Sequence, residues 1–157
     1  MFGDGAVDIV TSIQPHDLIP HRDPFLLVDK IVEMSDDRIL ASRYVDPDAD
    51  FFKGHYPNEP VMPGVLICEC CFQAGAILIA NRVGGFDTSD KIPVLTRIND
   101  ARFKRIVRPG ETLDLEARID EELDGAYFLT GYARVQGALC VRVNFACMLA
   151  TKEGQGA

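Results

Sequence analysis

From Met62 to Ala80 the chain reads Met-Pro-Gly-Val-Leu-Ile-Cys-Glu-Cys-Cys-Phe-Gln-Ala-Gly-Ala-Ile-Leu-Ile-Ala, with Glu69 as its one charged side chain. A helix that is apolar on nearly every face has two homes, a bilayer or the inside of a protein. The length suits a bilayer, but Glu69 near the middle is expensive in hydrocarbon, and Gln73 adds to the cost. The run therefore reads as the buried helix of a globular fold, with no membrane span. A helix that must be covered all round needs a curved sheet wrapped about it. That requirement sets the fold class as α+β.

The flanking sequence supplies such a sheet. Phe25 to Glu33 and Arg38 to Asp46 read as two strands joined by a Ser35-Asp36-Asp37 turn. Ile13 to Pro20 reads as a short helical turn or loop. Residues 47–63 carry four prolines and read as a loop without regular structure. The helix is expected over Gly64 to Val83, stopped by Gly84-Gly85. Ile92 to Val107 is strand-like and leaves through Arg108-Pro109-Gly110-Glu111. Leu113, Leu115, Ala117 and Ile119 then alternate with Asp114, Glu116, Arg118 and Asp120, the pattern of a half-buried strand. Asp124-Gly125 is a hairpin turn, Tyr127 to Gln136 returns, and Leu139 to Leu149 forms a final strand. With 157 residues, 47% of them hydrophobic and 25% charged, the chain is read as one domain over 1–157.

Charge and cysteine usage narrow the function classes. A net charge of −8 argues against bulk nucleic-acid binding, which needs excess Lys and Arg. Met1 to Asp8 has acids and no basic n-region, so no signal peptide is expected. Five cysteines with no export signal read as reduced thiols in a cytoplasmic protein. Cys68 and Cys71 share a helix face while Cys70 points elsewhere. No second matching pair exists, so these are core residues and no metal site is expected.

The chemistry is concentrated in Phe51-Phe52-Lys53-Gly54-His55-Tyr56-Pro57-Asn58-Glu59-Pro60-Val61-Met62-Pro63-Gly64-Val65-Leu66-Ile67-Cys68-Glu69-Cys70-Cys71-Phe72-Gln73. His55 lies in a proline-rich loop and can serve as a base. Pro63 suits a first helical turn, and Gly64 lets a ligand approach the backbone. The free N–H groups of that turn can hold an oxygen that becomes negative in a reaction. Glu69 sits in an apolar wall, and Gln73, four residues on, shares its face. Taken one by one, each has a plain alternative: an ordinary helix start, a structural glutamate, a surface histidine. Candidate catalytic residues are His55 and Glu69. Candidate substrate contacts are Gly64, Val65, Tyr56, Gln73 and His21. His16 and His21 read as structural, with His21 placed to hydrogen-bond a backbone group. Arg102, Lys104, Arg105 and Arg108, with Lys53, form a basic set in an acidic chain. That set is either a protected strand edge or a landing patch for an acidic partner.

Three stretches, Pro20-His21-Arg22-Asp23-Pro24-Phe25-Leu26-Leu27-Val28-Asp29, Gly54-His55-Tyr56-Pro57 through Gln73, and Ala101-Arg102-Phe103-Lys104-Arg105 with Pro109-Gly110, together resemble the 3-hydroxyacyl-acyl-carrier-protein dehydratases of type II fatty-acid synthesis. The resemblance runs from about Leu18 to Lys152. It implies a hotdog fold, a catalytic histidine at His55, a catalytic acid at Glu69 and a carbonyl-polarising amide at Gly64. It also implies a homodimer or trimer of dimers whose active sites are shared between subunits. An acyl-carrier protein would be the partner that brings the substrate, and no cofactor is implied. Glutamate rather than aspartate at position 69 matches the branch that only dehydrates. Asp23, Tyr56, Cys70, Phe72 and the region of Val94 depart from the usual pattern and bear on acyl-chain length. Two other readings use the same parts: a hotdog thioesterase or enoyl isomerase, and a non-catalytic acyl-thioester-binding subunit.

Overall fold

A computed structural model describes residues 12–85 and 90–151. The long apolar run forms one helix, α3, Gly64–Arg82, 19 residues long. Its residues from Ile67 through Ala80 are buried apart from Glu69. By length and composition it could cross a membrane, but 72% of that window is enclosed by the protein's own chain.

Six antiparallel strands supply the enclosure: β1 Lys30–Met34, β2 Arg38–Tyr44, β3 Lys91–Phe103, β4 Thr112–Leu123, β5 Ala126–Val135 and β6 Ala138–Thr151. Their order across the sheet is β1-β2-β4-β5-β6-β3. The inner face presents Ile39, Ala41, Leu115, Ala117, Leu129, Ala133, Val141, Val143 and Phe145 to the helix. Two glycines let helix and sheet come close. A methyl group on Gly75 would lie 2.8 Å from the Phe145 ring, and one on Gly131 would lie 2.7 Å from the Cys71 Cβ. Phe72 packs edge-on against Phe145 with ring centroids 4.9 Å apart. The Asp124-Gly125 turn has both residues in the left-handed region, as a tight hairpin requires.

The outer face carries a buried carboxylate. Glu116 on β4 accepts from Arg38 at 3.1 Å, from Arg134 at 3.1 Å, and from Arg118. Both Arg118 and Arg134 lie over the Tyr132 ring. Burial raises the Glu116 pKa, but the hydrogen bonds from Arg38 and Arg118 outweigh it and hold the carboxyl below its usual value.

Most element ends differ from the sequence reading by one or two residues, and three differences are larger. The first strand begins at Lys30 rather than Phe25, because residues 22–27 turn instead of pairing. The amides of Phe25 and Leu26 both donate to the Arg22 carbonyl, and that of Leu27 donates to the Gln73 side chain. The proline-rich loop contains a short helix, α2, Phe51–Gly54. Its prolines fall at 47, 57, 60 and 63 and leave 48–56 free to coil. The strand expected to reach Val107 stops at Phe103. Beyond it the amides of Lys104 and Arg105 converge on one carbonyl, that of Cys140, which ends the ladder. The short helical turn or loop expected over Ile13 to Pro20 is a helical turn, α1, Pro15–Leu18.

Candidate functional site

The start of α3 opens onto a cleft of about 530 Å³. Its walls include His55, Gly64, Val65, Phe103 and Lys104. Pro63 caps the helix with φ of −55° and ψ of 129°, and its carbonyl takes the amides of Leu66 at 3.0 Å and Ile67 at 3.2 Å. Among the described residues, nothing accepts from the amides of Gly64 and Val65. Both therefore offer unpaired N–H donors at the positive end of a 19-residue helix. The Phe103 ring lies directly on Gly64, whose missing side chain makes room for it.

His55 enters the cleft from the end of α2. Its backbone amide donates to Phe51 at 3.0 Å, and its Nδ1 lies 2.8 Å from the Val61 carbonyl oxygen. A carbonyl can only accept, so Nδ1 carries the proton. In the neutral ring the lone pair is then on Nε2, the nitrogen that can act as a base. Tyr56 follows with φ of 55°, a left-handed conformation uncommon for a residue with a side chain. Its ring stands edge-on to the imidazole with centroids 4.5 Å apart.

Glu69 lies on another face of α3, 22% exposed. Its Oε1 accepts from Gln73 Nε2 at 3.1 Å. The same Gln73 nitrogen donates to the Phe25 carbonyl at 2.8 Å, and Gln73 Oε1 accepts from the Leu27 amide at 2.7 Å. One buried side chain thus ties the Arg22–Leu27 turn to the helix and holds one edge of the carboxyl group. His21 brings Nε2 to 3.9 Å from Glu69 Oε1 and stacks on Phe25. The expected bond from His21 to a backbone group is not made: its Nδ1 is buried without a partner. Burial pulls the His21 pKa below the usual imidazole value, against the attraction of Glu69, with Arg22 adding to the lowering.

The expected site residues therefore fall into two groups. His55, Gly64 and Val65 share the cleft, and Tyr56 does not line it but stands against the His55 ring. Glu69, Gln73 and His21 form a second cluster. No hydrogen bond or ion pair joins His55 to Glu69. Sequence reasoning missed Phe103 over Gly64 and the approach of His21 to Glu69. The i,i+4 spacing did point to the Glu69–Gln73 contact.

The basic set is mostly neutralised. Arg105 makes two bonds to Glu111, at 2.9 and 3.4 Å. Arg108 lies 3.5 Å from Glu59, Arg102 bonds Asp100 at 3.0 Å and Lys53 bonds Asp50 at 3.0 Å. Lys104 lines the cleft beside His55 and has no acidic partner among the described residues. Of this set only Arg102 lies on β3, because the strand ends before Lys104. The five cysteines are free and buried. Burial pushes the Cys70 and Cys147 thiols up to about 12, so neither supplies a thiolate near neutral pH. Among the described residues, no three His, Cys, Asp or Glu side chains gather as a metal would require.

The family described as FabA-like domain matches residues 19–143. A 3-hydroxyacyl-[acyl-carrier-protein] dehydratase FabZ from Anaeromyxobacter sp. (strain K) is 43% identical over 137 residues, covering 87% of this chain and 88% of that protein. The protein of the same name from Rickettsia akari (strain Hartford) is 39% identical over 145 residues, covering 92% and 99%. Among solved structures, the dehydratase heterocomplex ApeI:P from Xenorhabdus doucetiae superposes with a TM-score of 0.76 at 16% identity, covering 89% of this chain and 93% of that one. A thioesterase from Haemophilus influenzae superposes with a TM-score of 0.62 at 18% identity, covering 83% and 82%. At these identities both likenesses speak for the hotdog fold alone.

Proposed function

The chain belongs to the family of FabA-like domains, and from that premise we infer that it is a dehydratase, removing water from 3-hydroxyacyl thioesters in fatty-acid synthesis. The single observation that supports a site at the cleft is the His55 ring. Its proton is fixed on Nδ1 by Val61, and it shares the cleft with the unpaired amides of Gly64 and Val65.

The chemistry follows from those parts. His55 Nε2 takes the proton from C2, next to the thioester carbonyl. The electron pair moves toward the carbonyl oxygen, where the Gly64 and Val65 N–H groups hold the developing charge. The pair then returns to form the C2=C3 double bond as the C3–O bond breaks. Glu69 gives its proton to the departing hydroxyl, which leaves as water. The product is a trans-2-enoyl thioester. His55 ends with the proton and Glu69 ends as a carboxylate, so the pair must exchange protons with solvent before the next turnover.

His55 and Glu69 do not meet within one chain, and the fold leaves surface that suits a second copy. β3 is an edge strand of thirteen residues. Along it Ile98 is 52% and Phe103 55% exposed, and Val65 on α3 is 72% exposed. A long apolar edge of this kind is a liability unless it is covered. A homodimer formed along β3, with one chain's His55 facing the other's Glu69, satisfies both requirements. The substrate's carrier is an acyl-carrier protein, an acidic partner for which Lys104 supplies a free cation at the cleft mouth.

The direct test is incubation with 3-hydroxyacyl carriers of graded chain length, followed by mass. Loss of water with the thioester intact is the expected result. Release of a free acid would mark a thioesterase, and binding without turnover would mark a non-catalytic subunit.

Gly64 gives a second check. A methyl group there would lie 2.6 Å from one Phe103 ring carbon and 2.8 Å from another. The exposed ring can rotate away, so Gly64→Ala is expected to fold with a small loss of thermal stability. The methyl group also crowds the amides that hold the carbonyl oxygen, and turnover is expected to fall roughly 100-fold. Adding Phe103→Ala should restore stability and not turnover. Recovery of both would reduce Gly64 to a packing residue.

A further inference from the structure

The His21 imidazole lies against the carboxyl group of Glu69. It is held between Phe25, on which it stacks with ring centroids 6.2 Å apart, and the Oε1 edge of Glu69. Its two nitrogens are in opposite situations. Nδ1 is buried with no partner, while Nε2 faces the carboxyl group at 3.9 Å. A proton on Nδ1 would be a buried donor with nothing to accept it. Burial keeps the ring neutral near neutral pH, so it carries a single N–H. That N–H therefore belongs on Nε2, pointing at Glu69.

We propose that His21 is a positioning residue for Glu69, acting with Gln73 to fix the Oε1 edge of the carboxyl group so that Oε2 is the oxygen that carries and delivers the proton. Gln73 already donates to Oε1 at 3.1 Å. With a second donor aimed at the same atom, Oε1 is an acceptor and not a proton carrier. Oε2 has no hydrogen bond among the described residues and is free to face a hydroxyl group. The 3.9 Å separation is too long for a formed bond. A shift of about 1 Å closes it, as catalytic hydrogen bonds do when a site fills. The backbone of the turn is held, by Arg22 on the carbonyls of Ile19 and His21 and by Gln73 on that of Phe25, so the shift is one of the His21 and Glu69 side chains. As Glu69 gives up its proton, both donors face a carboxylate that is gaining charge. That is the moment at which they lower the barrier.

The inference rests on the reading of Glu69 as the acid of a dehydratase, and its test separates the two. His21→Phe keeps the ring and the stack on Phe25 but removes the N–H. His21→Gln replaces it with an amide that reaches the Nε2 position, and His21→Asn with one that stops short. Dehydration of a small 3-hydroxyacyl thioester without carrier is measured for each, together with thermal unfolding. In His21→Phe, kcat is expected to fall about tenfold or more with KM within about twofold, and His21→Gln to regain most of the loss. Should His21→Phe fail to fold, His21→Asn takes its place and the same contrast with His21→Gln is expected. Wild-type kcat in His21→Phe, equal losses in the Gln and Asn variants, or a change confined to KM would each overturn the inference and leave the dehydratase reading standing. A wild-type protein that removes no water in this assay would overturn both.

Discussion

His55→Ala should leave a folded chain whose dehydration rate is roughly a thousandfold lower. The structural loss is small. The ring makes one hydrogen bond, to the Val61 carbonyl, and one edge contact, with Tyr56. Losing a single part-buried hydrogen bond costs about 1 kcal/mol. The chemical loss is large, because no other residue lining the cleft has a lone pair suited to taking a proton from carbon near neutral pH. Lys104 and Arg105 are the other ionisable groups there, and both are cations. Thermal unfolding and turnover on the same preparation check this. A variant with near-normal turnover would remove His55 from the mechanism.

Glu69→Gln should lower turnover about 100-fold to 1000-fold while leaving the unfolding midpoint nearly unchanged. An amide at position 69 can still accept from Gln73 through its carbonyl oxygen, so the link to Phe25 and Leu27 survives. It cannot act as an acid. Glu69→Asp keeps the acid but withdraws it by one methylene, away from Gln73 and His21, and should retain a fraction of the activity. A Glu69→Gln variant that unfolds, with activity lost in proportion, would instead make Glu69 a structural residue.

What the sequence could disclose follows the range of the forces involved. α3 was legible because a run apolar on every face has few homes. β4, β5 and β6 were legible because their alternation is local and their turns are marked by Asp124-Gly125 and Gly137. The strand ends were not legible, since distant partners set them: Gln73 captures the amide of Leu27, 46 residues away, before the first strand can start. Within the site, His55, Gly64, Glu69 and Gln73 stand out from a short stretch of chain. The approach of His21 to Glu69 joins two segments with no shared pattern. The pairing of Arg105 with Glu111 and of Arg108 with Glu59 was likewise hidden, so a cluster that looked like five free cations leaves Lys104 alone at the cleft. Phe103 over Gly64 had no sequence signal beyond the need for a glycine there.

The most direct measurement is complementation between two inactive variants, with mixing of subunits shown independently. His55→Ala and Glu69→Gln are each purified, unfolded and refolded together, and assayed for loss of water from a 3-hydroxyacyl thioester. If one chain's His55 works with another's Glu69, each hybrid dimer holds one intact pair and one doubly altered pair. Activity should then rise from near zero toward a quarter of the wild-type value, since random mixing makes about half the dimers hybrid and each has one site. No recovery, with hybrids demonstrated, would place both residues at a site within one chain and contradict the shared arrangement.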